Sequence, residues 1–123
     1  KINKFLKFKE NLASFYRECL KDIPGIIFPF TSYPVKPVCW LFSILVGKTY
    51  PLSRNELIRK LEILGIESRP FFFPLTSLPP YMSDKSYPES EFISRNGLNL
   101  PSCYNISKSQ IRFICSMIRQ SKS

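Results

Sequence analysis

The sequence predicts an α+β domain: a small sheet of about three strands packed against helices. Three features lead there. Two stretches carry apolar residues at helical steps of three and four, two short Ser-led motifs have the form of capping boxes, and one continuous apolar run has strand length. At 123 residues the chain, 1–123, is expected to be a single domain.

The first helix is expected over Ile2 to Leu20, with Phe5, Phe8, Leu12, Phe15 and Cys19 forming its stripe and Pro24-Gly25 stopping it. Ile26 to Pro37 contains Pro29, Pro34 and Pro37 and reads as an irregular, extended connection. Val38 to Val46 reads as a strand buried on both faces. Ser53-Arg54-Asn55-Glu56 is a capping box that opens a second helix; Leu57, Leu61 and Leu64 line it and Gly65 ends it. Ile66 to Phe73 is extended, though Pro70 lacks an amide and argues for an edge or a bend. After a Pro- and Ser-rich loop from Pro74 to Ser86, Pro88 with Glu89 and Glu91 opens a short helix that closes at Asn96-Gly97. Leu98 to Leu100 is a short strand. A second capping box, Ser107-Lys108-Ser109-Gln110, launches the last helix, with Ile111, Ile114, Cys115 and Ile118 on one side.

Composition excludes several kinds of chemistry. The chain has no His, so it can form no Ser-His or Cys-His nucleophile pair. Its four glycines stand apart, which rules out a dinucleotide fingerprint or a phosphate loop. Cys19, Cys39, Cys103 and Cys115 are widely spaced; they read as free thiols in a reducing cytoplasm, not as zinc ligands or disulfides. The longest apolar run is far shorter than the ~20 residues of a spanning helix, and the first residues do not read as a signal peptide, so none is expected. The net charge of +9 raises a basic nucleic-acid-binding module as a rival reading. The basic residues are scattered, however, and Arg54, Arg59 and Lys60 alternate with Glu56 and Glu62 as on a solvated helix face. A free-standing interaction domain is the other rival.

One segment stands apart: Gly65-Ile66-Glu67-Ser68-Arg69-Pro70-Phe71-Phe72-Phe73-Pro74-Leu75-Thr76, with Pro79-Pro80-Tyr81 close behind. Three consecutive Phe between prolines make a stiff aromatic wall, and Arg69 adds a planar, permanent cation, a pairing suited to an anionic ligand with a flat or apolar part. The residues alone leave a second reading open, with Phe71 and Phe73 in the core and Phe72 against a partner surface.

The same segment closely resembles a signature of the DegT/DnrJ/StrS-type sugar aminotransferases, especially their perosamine synthase-like members. Tyr87-Pro88 with Ser94-Arg95-Asn96-Gly97-Leu98-Asn99-Leu100-Pro101-Ser102 resembles a second block of that family. Ile106 to Ile111 is similar to a helix start in it, and Val38 to Ile44, with Trp40, is similar in a looser way. The resemblance implies the C-terminal small domain of an aspartate-aminotransferase-like fold, a fragment of a larger enzyme whose N-terminal domain binds pyridoxal phosphate (PLP). It implies a nucleotide-sugar substrate carrying a keto group, glutamate as amino donor, a homodimer, and a cytoplasmic place in surface-polysaccharide synthesis. No membrane or nucleic-acid partner is expected.

None of the eleven lysines matches the family's Schiff-base motif, so no catalytic or cofactor-binding residue and no metal ligand is expected here. Arg69, Phe71, Phe72 and Thr76 are the expected substrate-binding residues, and the resemblance places the positions of Phe71 and Phe72 at the sugar-nucleotide pocket. Thr76 stands where the family usually has His, a departure that bears on the choice of sugar. Some relatives of similar sequence are dehydratases, and the residues that separate the two activities fall outside this chain.

Overall fold

The computed structural model describes residues 1–121. Four helices, α1 (Ile2–Leu20), α2 (Arg54–Ile63), α3 (Pro88–Asn96) and α4 (Lys108–Arg119), surround a sheet of four strands: β1 (Ile26–Ile27), β2 (Phe42–Val46), β3 (Arg69–Pro70) and β4 (Gly97–Leu100). The spatial order is β1-β2-β4-β3, and every pairing is antiparallel. The α+β reading holds, with one strand more than expected. The extra strand is β1, where Ile26 pairs with Val46 and Ile27 with Leu45. Two residues followed by a proline-rich stretch leave no alternation to read, so only the partner strand reveals it.

The strand expected over Val38 to Val46 begins only at Phe42. Val38 and Trp40 are exposed, and Cys39 adopts a left-handed backbone with φ 51°, which cannot continue a strand. The part that is strand is buried nearly throughout, as a central strand should be. Phe42, Ile44 and Val46 join Leu98 and Leu100 in the main core, while Ser43 and Asn99 face each other on the opposite side.

Both capping boxes form. Ser53 Oγ accepts from the Glu56 amide and the Glu56 carboxylate accepts from the Ser53 amide; Ser107 and Gln110 repeat the arrangement. Leu57 and Leu61 of α2 and Ile111, Ile114, Cys115 and Ile118 of α4 are buried as expected. Gly65, at φ 78°, supplies the left-handed turn that ends α2.

Helix α1 has its expected length but buries Leu12, Ala13, Tyr16 and Leu20, a face turned from the stripe read in its sequence. Phe8, Phe15 and Cys19 flank the core, and Phe5 is exposed. The ring of Tyr16 explains the turn: it stacks on Phe42 with centroids 4.5 Å apart, and its hydroxyl donates to the Pro101 carbonyl at 2.7 Å. An amphipathic side chain thus takes a core position because its polar end has a partner.

Candidate functional site

A groove of about 520 Å³ lies at the end of the sheet where β3, the end of β4 and the segment before β2 meet. The register brings these pieces together: Phe42 sits opposite Leu100, and Arg69 opposite Asn99. Trp40 and Phe72 line this groove with their side chains 69% and 71% exposed, and Asn99, Ser102 and Arg69 supply polar groups. Large apolar rings left so open are the part of a fold that a ligand or another surface covers.

Helix α1 holds the groove's edge from behind. Lys9 Nζ donates to the carbonyls of Trp40 and Ser102, and the Tyr16 hydroxyl fixes Pro101 beside them. The turn at Cys39, a left-handed conformation that disfavours any side chain, delivers Trp40 to the rim. Ser68 contributes a buried hydroxyl oxygen with no hydrogen-bond partner among the described residues. Arg69 donates through Nε at 3.2 Å and Nη2 at 2.7 Å to one oxygen of Glu67. Both side chains are more than three-quarters exposed. Such an exposed pair is worth at most ~1 kcal/mol, so a stronger anion can take the guanidinium over.

Arg69 and Phe72 therefore share the groove, whereas Phe71 and Thr76 do not line it. Phe71 is half-buried and turned toward Gly97, where a β-carbon would stand 2.7 Å from its Cγ; its amide donates to the Gly97 carbonyl at 3.0 Å. Thr76 lies in the 3-10 turn Leu75–Ser77. Phe73 is 77% exposed, so it belongs to no core. The sequence reading missed Ser68, Asn99 and Ser102 and saw Trp40 only as part of a strand. Two-residue pairing of β3 with β4 gathers these positions, and that pairing leaves no local signature.

No lysine lines the groove, and Lys9 behind it is committed to two carbonyls, so these residues offer no free amine to an aldehyde cofactor. They do not by themselves fit PLP. Among the described residues no cluster of His, Cys, Asp or Glu could hold a metal, and no helix is long and apolar enough to cross a membrane. The four thiols are unpaired, and burial pushes the Cys115 thiol up to about 12. Cys39, expected inside a strand, instead occupies the left-handed turn before Trp40.

Residues 1–119 match the DegT/DnrJ/EryC1/StrS aminotransferase family. The chain belongs to that family. GDP-perosamine synthase of Vibrio cholerae is 34% identical over 97% of this chain and 33% of its own length. The dTDP-4-amino-4,6-dideoxy-D-glucose transaminase of Shigella dysenteriae is 32% identical over 98% of this chain and 34% of its own. Among solved structures, S. venezuelae DesV in complex with a ketimine intermediate superposes with a TM-score of 0.83 at 25% identity. That match covers 96% of this chain and 32% of DesV. This member of the aminotransferase family thus spans about a third of the relatives it matches, and the resemblance read in its two sequence blocks is borne out.

Proposed function

We propose that this domain completes the sugar-nucleotide site of a PLP-dependent aminotransferase whose remaining two-thirds hold the cofactor. The groove at the sheet end carries this reading, with Trp40 and Phe72 as its apolar rings and Arg69 as its cation. A nucleotide-linked sugar offers what such a wall recognises: a flat base, an anionic diphosphate and an apolar sugar face. PLP, when bound by the rest of the enzyme, supplies the amino-group transfer chemistry; Arg69 and Phe72 bind and orient the substrate, with Phe71 and Thr76 in the same segment outside the groove lining. The names of the relatives favour a keto-deoxy sugar as acceptor and a perosamine-like product. Glutamate as donor, a homodimer, a cytoplasmic setting and a place in polysaccharide assembly complete the reading.

No nucleic-acid partner belongs to this reading, because the basic residues are scattered along the chain. Lys7, Lys21, Lys36, Arg69 and Arg119 each pair with a carboxylate.

The test uses the full-length enzyme. Phe72→Ala is expected to weaken nucleotide-sugar use by ~2 kcal/mol, the scale of one covered side chain, while the glutamate half-reaction read by PLP absorbance stays intact. Arg69→Lys keeps the charge and loses the planar fork, so a large loss there favours bidentate anion capture, or pairing with a carboxylate of the rest of the enzyme, over simple charge. Wild-type turnover of the nucleotide sugar in both variants would remove the groove from the substrate site.

A further inference from the structure

Arg54 occupies a place that its own helix does not explain. It is the first residue of α2, where the helix dipole disfavours a cation. Partial burial further lowers the pKa of its guanidinium, and among the described residues it has no carboxylate partner. The sequence pattern assigned it to a solvated face, yet the side chain is turned inward across the domain. Asn55 Oδ1 accepts from Nε at 2.7 Å, and Nη1 donates to the carbonyls of Ser94 at 3.0 Å and Gly97 at 2.8 Å.

Gly97 is where this contact reaches the groove. Helix α3 passes into β4 at this residue without a loop. Its carbonyl accepts from Arg54 on one side and from the Phe71 amide on the other. The ring of Phe71 rests on the bare Cα of Gly97; a methyl group there would meet both that ring and the Ile93 carbonyl at 2.7 Å. Phe72, next in the chain, has no comparable support, because it stands in the open groove. Its direction is therefore set by how firmly Phe71 is seated.

We propose that Arg54 is a positioning residue for the substrate wall: through the shared carbonyl of Gly97 it fixes Phe71, and through Phe71 the angle of Phe72. The inference rests on the substrate-site reading above. It adds that a residue on α2, outside the groove, governs nucleotide-sugar affinity. Arg54 touches no reacting atom; its effect passes through one backbone oxygen that two donors share, which makes it sensitive to loss of either.

The experiment compares Arg54→Met, Phe71→Ala and the double variant in the full-length enzyme, with GDP-perosamine and dTDP-4-amino-4,6-dideoxyglucose as calorimetric probes. For whichever probe the wild type binds, Arg54→Met weakens affinity about tenfold, and the double variant is no weaker than Phe71→Ala alone. Hydrogen exchange supplies a ligand-free readout: the Phe71 amide exchanges at least about tenfold faster in Arg54→Met, while amides in the middle of α4 keep their wild-type rates. Should the Met variant fail to fold, Arg54→Lys, which retains one donor, is held to the same comparison. Unchanged exchange at Phe71, or fully additive losses in the double variant, overturns the role of Arg54. Wild-type affinity in Phe71→Ala likewise overturns it, whereas wild-type affinity in Phe72→Ala overturns the substrate-site reading on which it rests.

Discussion

The aliphatic interior and the aromatic rim of this domain use similar hydrophobicity for opposite ends. Inside, Leu20, Ile44, Leu57, Leu61, Leu98 and Ile118 are fully buried and close the sheet against α1, α2 and α4. At the sheet end Trp40, Phe72 and Phe73 are at least two-thirds exposed, although Trp40 lies two residues from the buried strand position Phe42 and the two Phe closely follow β3. What separates them is backbone. The interior residues sit on regular elements, while the rim residues follow a left-handed turn at Cys39 or flank Pro70 and Pro74, where hydrogen-bonded continuation fails. Under the proposed function the exposed rings are surface for a contact, and the interior provides the rigidity that keeps them there.

The largest expected effect tests the interior. Leu98 is fully buried at the centre of the β2–β4 pair, so Leu98→Ala should cost ~3 kcal/mol through lost transfer energy plus the cavity left behind. Urea unfolding measures it as a lower midpoint with unchanged slope. A loss below about 1 kcal/mol would mean that the sheet can collapse around the gap, and the contrast with the rim would weaken.

Next come the polar contacts that tie the interior to the rim. Tyr16→Phe removes the donor to Pro101 and is expected to cost ~1 kcal/mol, more than its loss of one oxygen suggests, because the carbonyl is left unpaired. Ser107→Ala, which breaks the α4 capping box, should cost a similar ~1 kcal/mol. The two differ in a second measurement. Only Tyr16→Phe should change Trp40 emission, since Pro101 lies beside Trp40 in the groove while α4 begins away from it. Equal spectra for both variants would show that the rim is not held through α1.

How much of this was legible in the sequence follows from the range of the forces involved. The capping boxes at Ser53 and Ser107 are local hydrogen bonds three residues apart, and both were readable. The buried side of α4 follows its periodicity. Helix α1 misleads because Tyr16 pays for its buried hydroxyl with a carbonyl 85 positions away, which no helical pattern announces. The groove is legible only in part, on the same grounds. Arg69 and Phe72 stand out as a composition, but Ser68, Asn99 and Ser102 join them only where β3 pairs with β4, and the contact of Arg54 outside the groove is to an oxygen 43 positions distant.

Acid should loosen the periphery before the interior. The Arg119 hydrogen bond holds the Asp22 carboxyl below its ordinary value, the Ser53 amide does so for Glu56, and Lys36 for Glu10. Each folded value lies below the unfolded one, so the unfolded chain binds more protons in acid. The contribution is complete above the ordinary carboxylate range and disappears as pH falls through the lowered values. The melting temperature should decline on that acid limb, less steeply in Asp22→Asn, and added salt should shrink the difference because the Asp22–Arg119 pair is solvent-exposed. An identical limb in Asp22→Asn would leave the Arg119 pair without a role in stability.

The smallest expected effect is the most telling about the rim. Phe72→Ser exchanges a large aromatic ring for a hydroxymethyl group, a change that in the interior would be among the costliest available. Here the ring is 71% exposed and already meets water, so little apolar surface changes environment when this chain unfolds. The stability of the chain should therefore stay within about 0.5 kcal/mol of wild type, against the several-fold larger loss from Leu98→Ala. Retained stability combined with lost nucleotide-sugar affinity in the full-length enzyme assigns the ring to binding, because an interior residue would lose both together. A destabilisation above about 1 kcal/mol by urea would instead place Phe72 in a packed core, close the groove, and reduce the aromatic wall to ordinary packing.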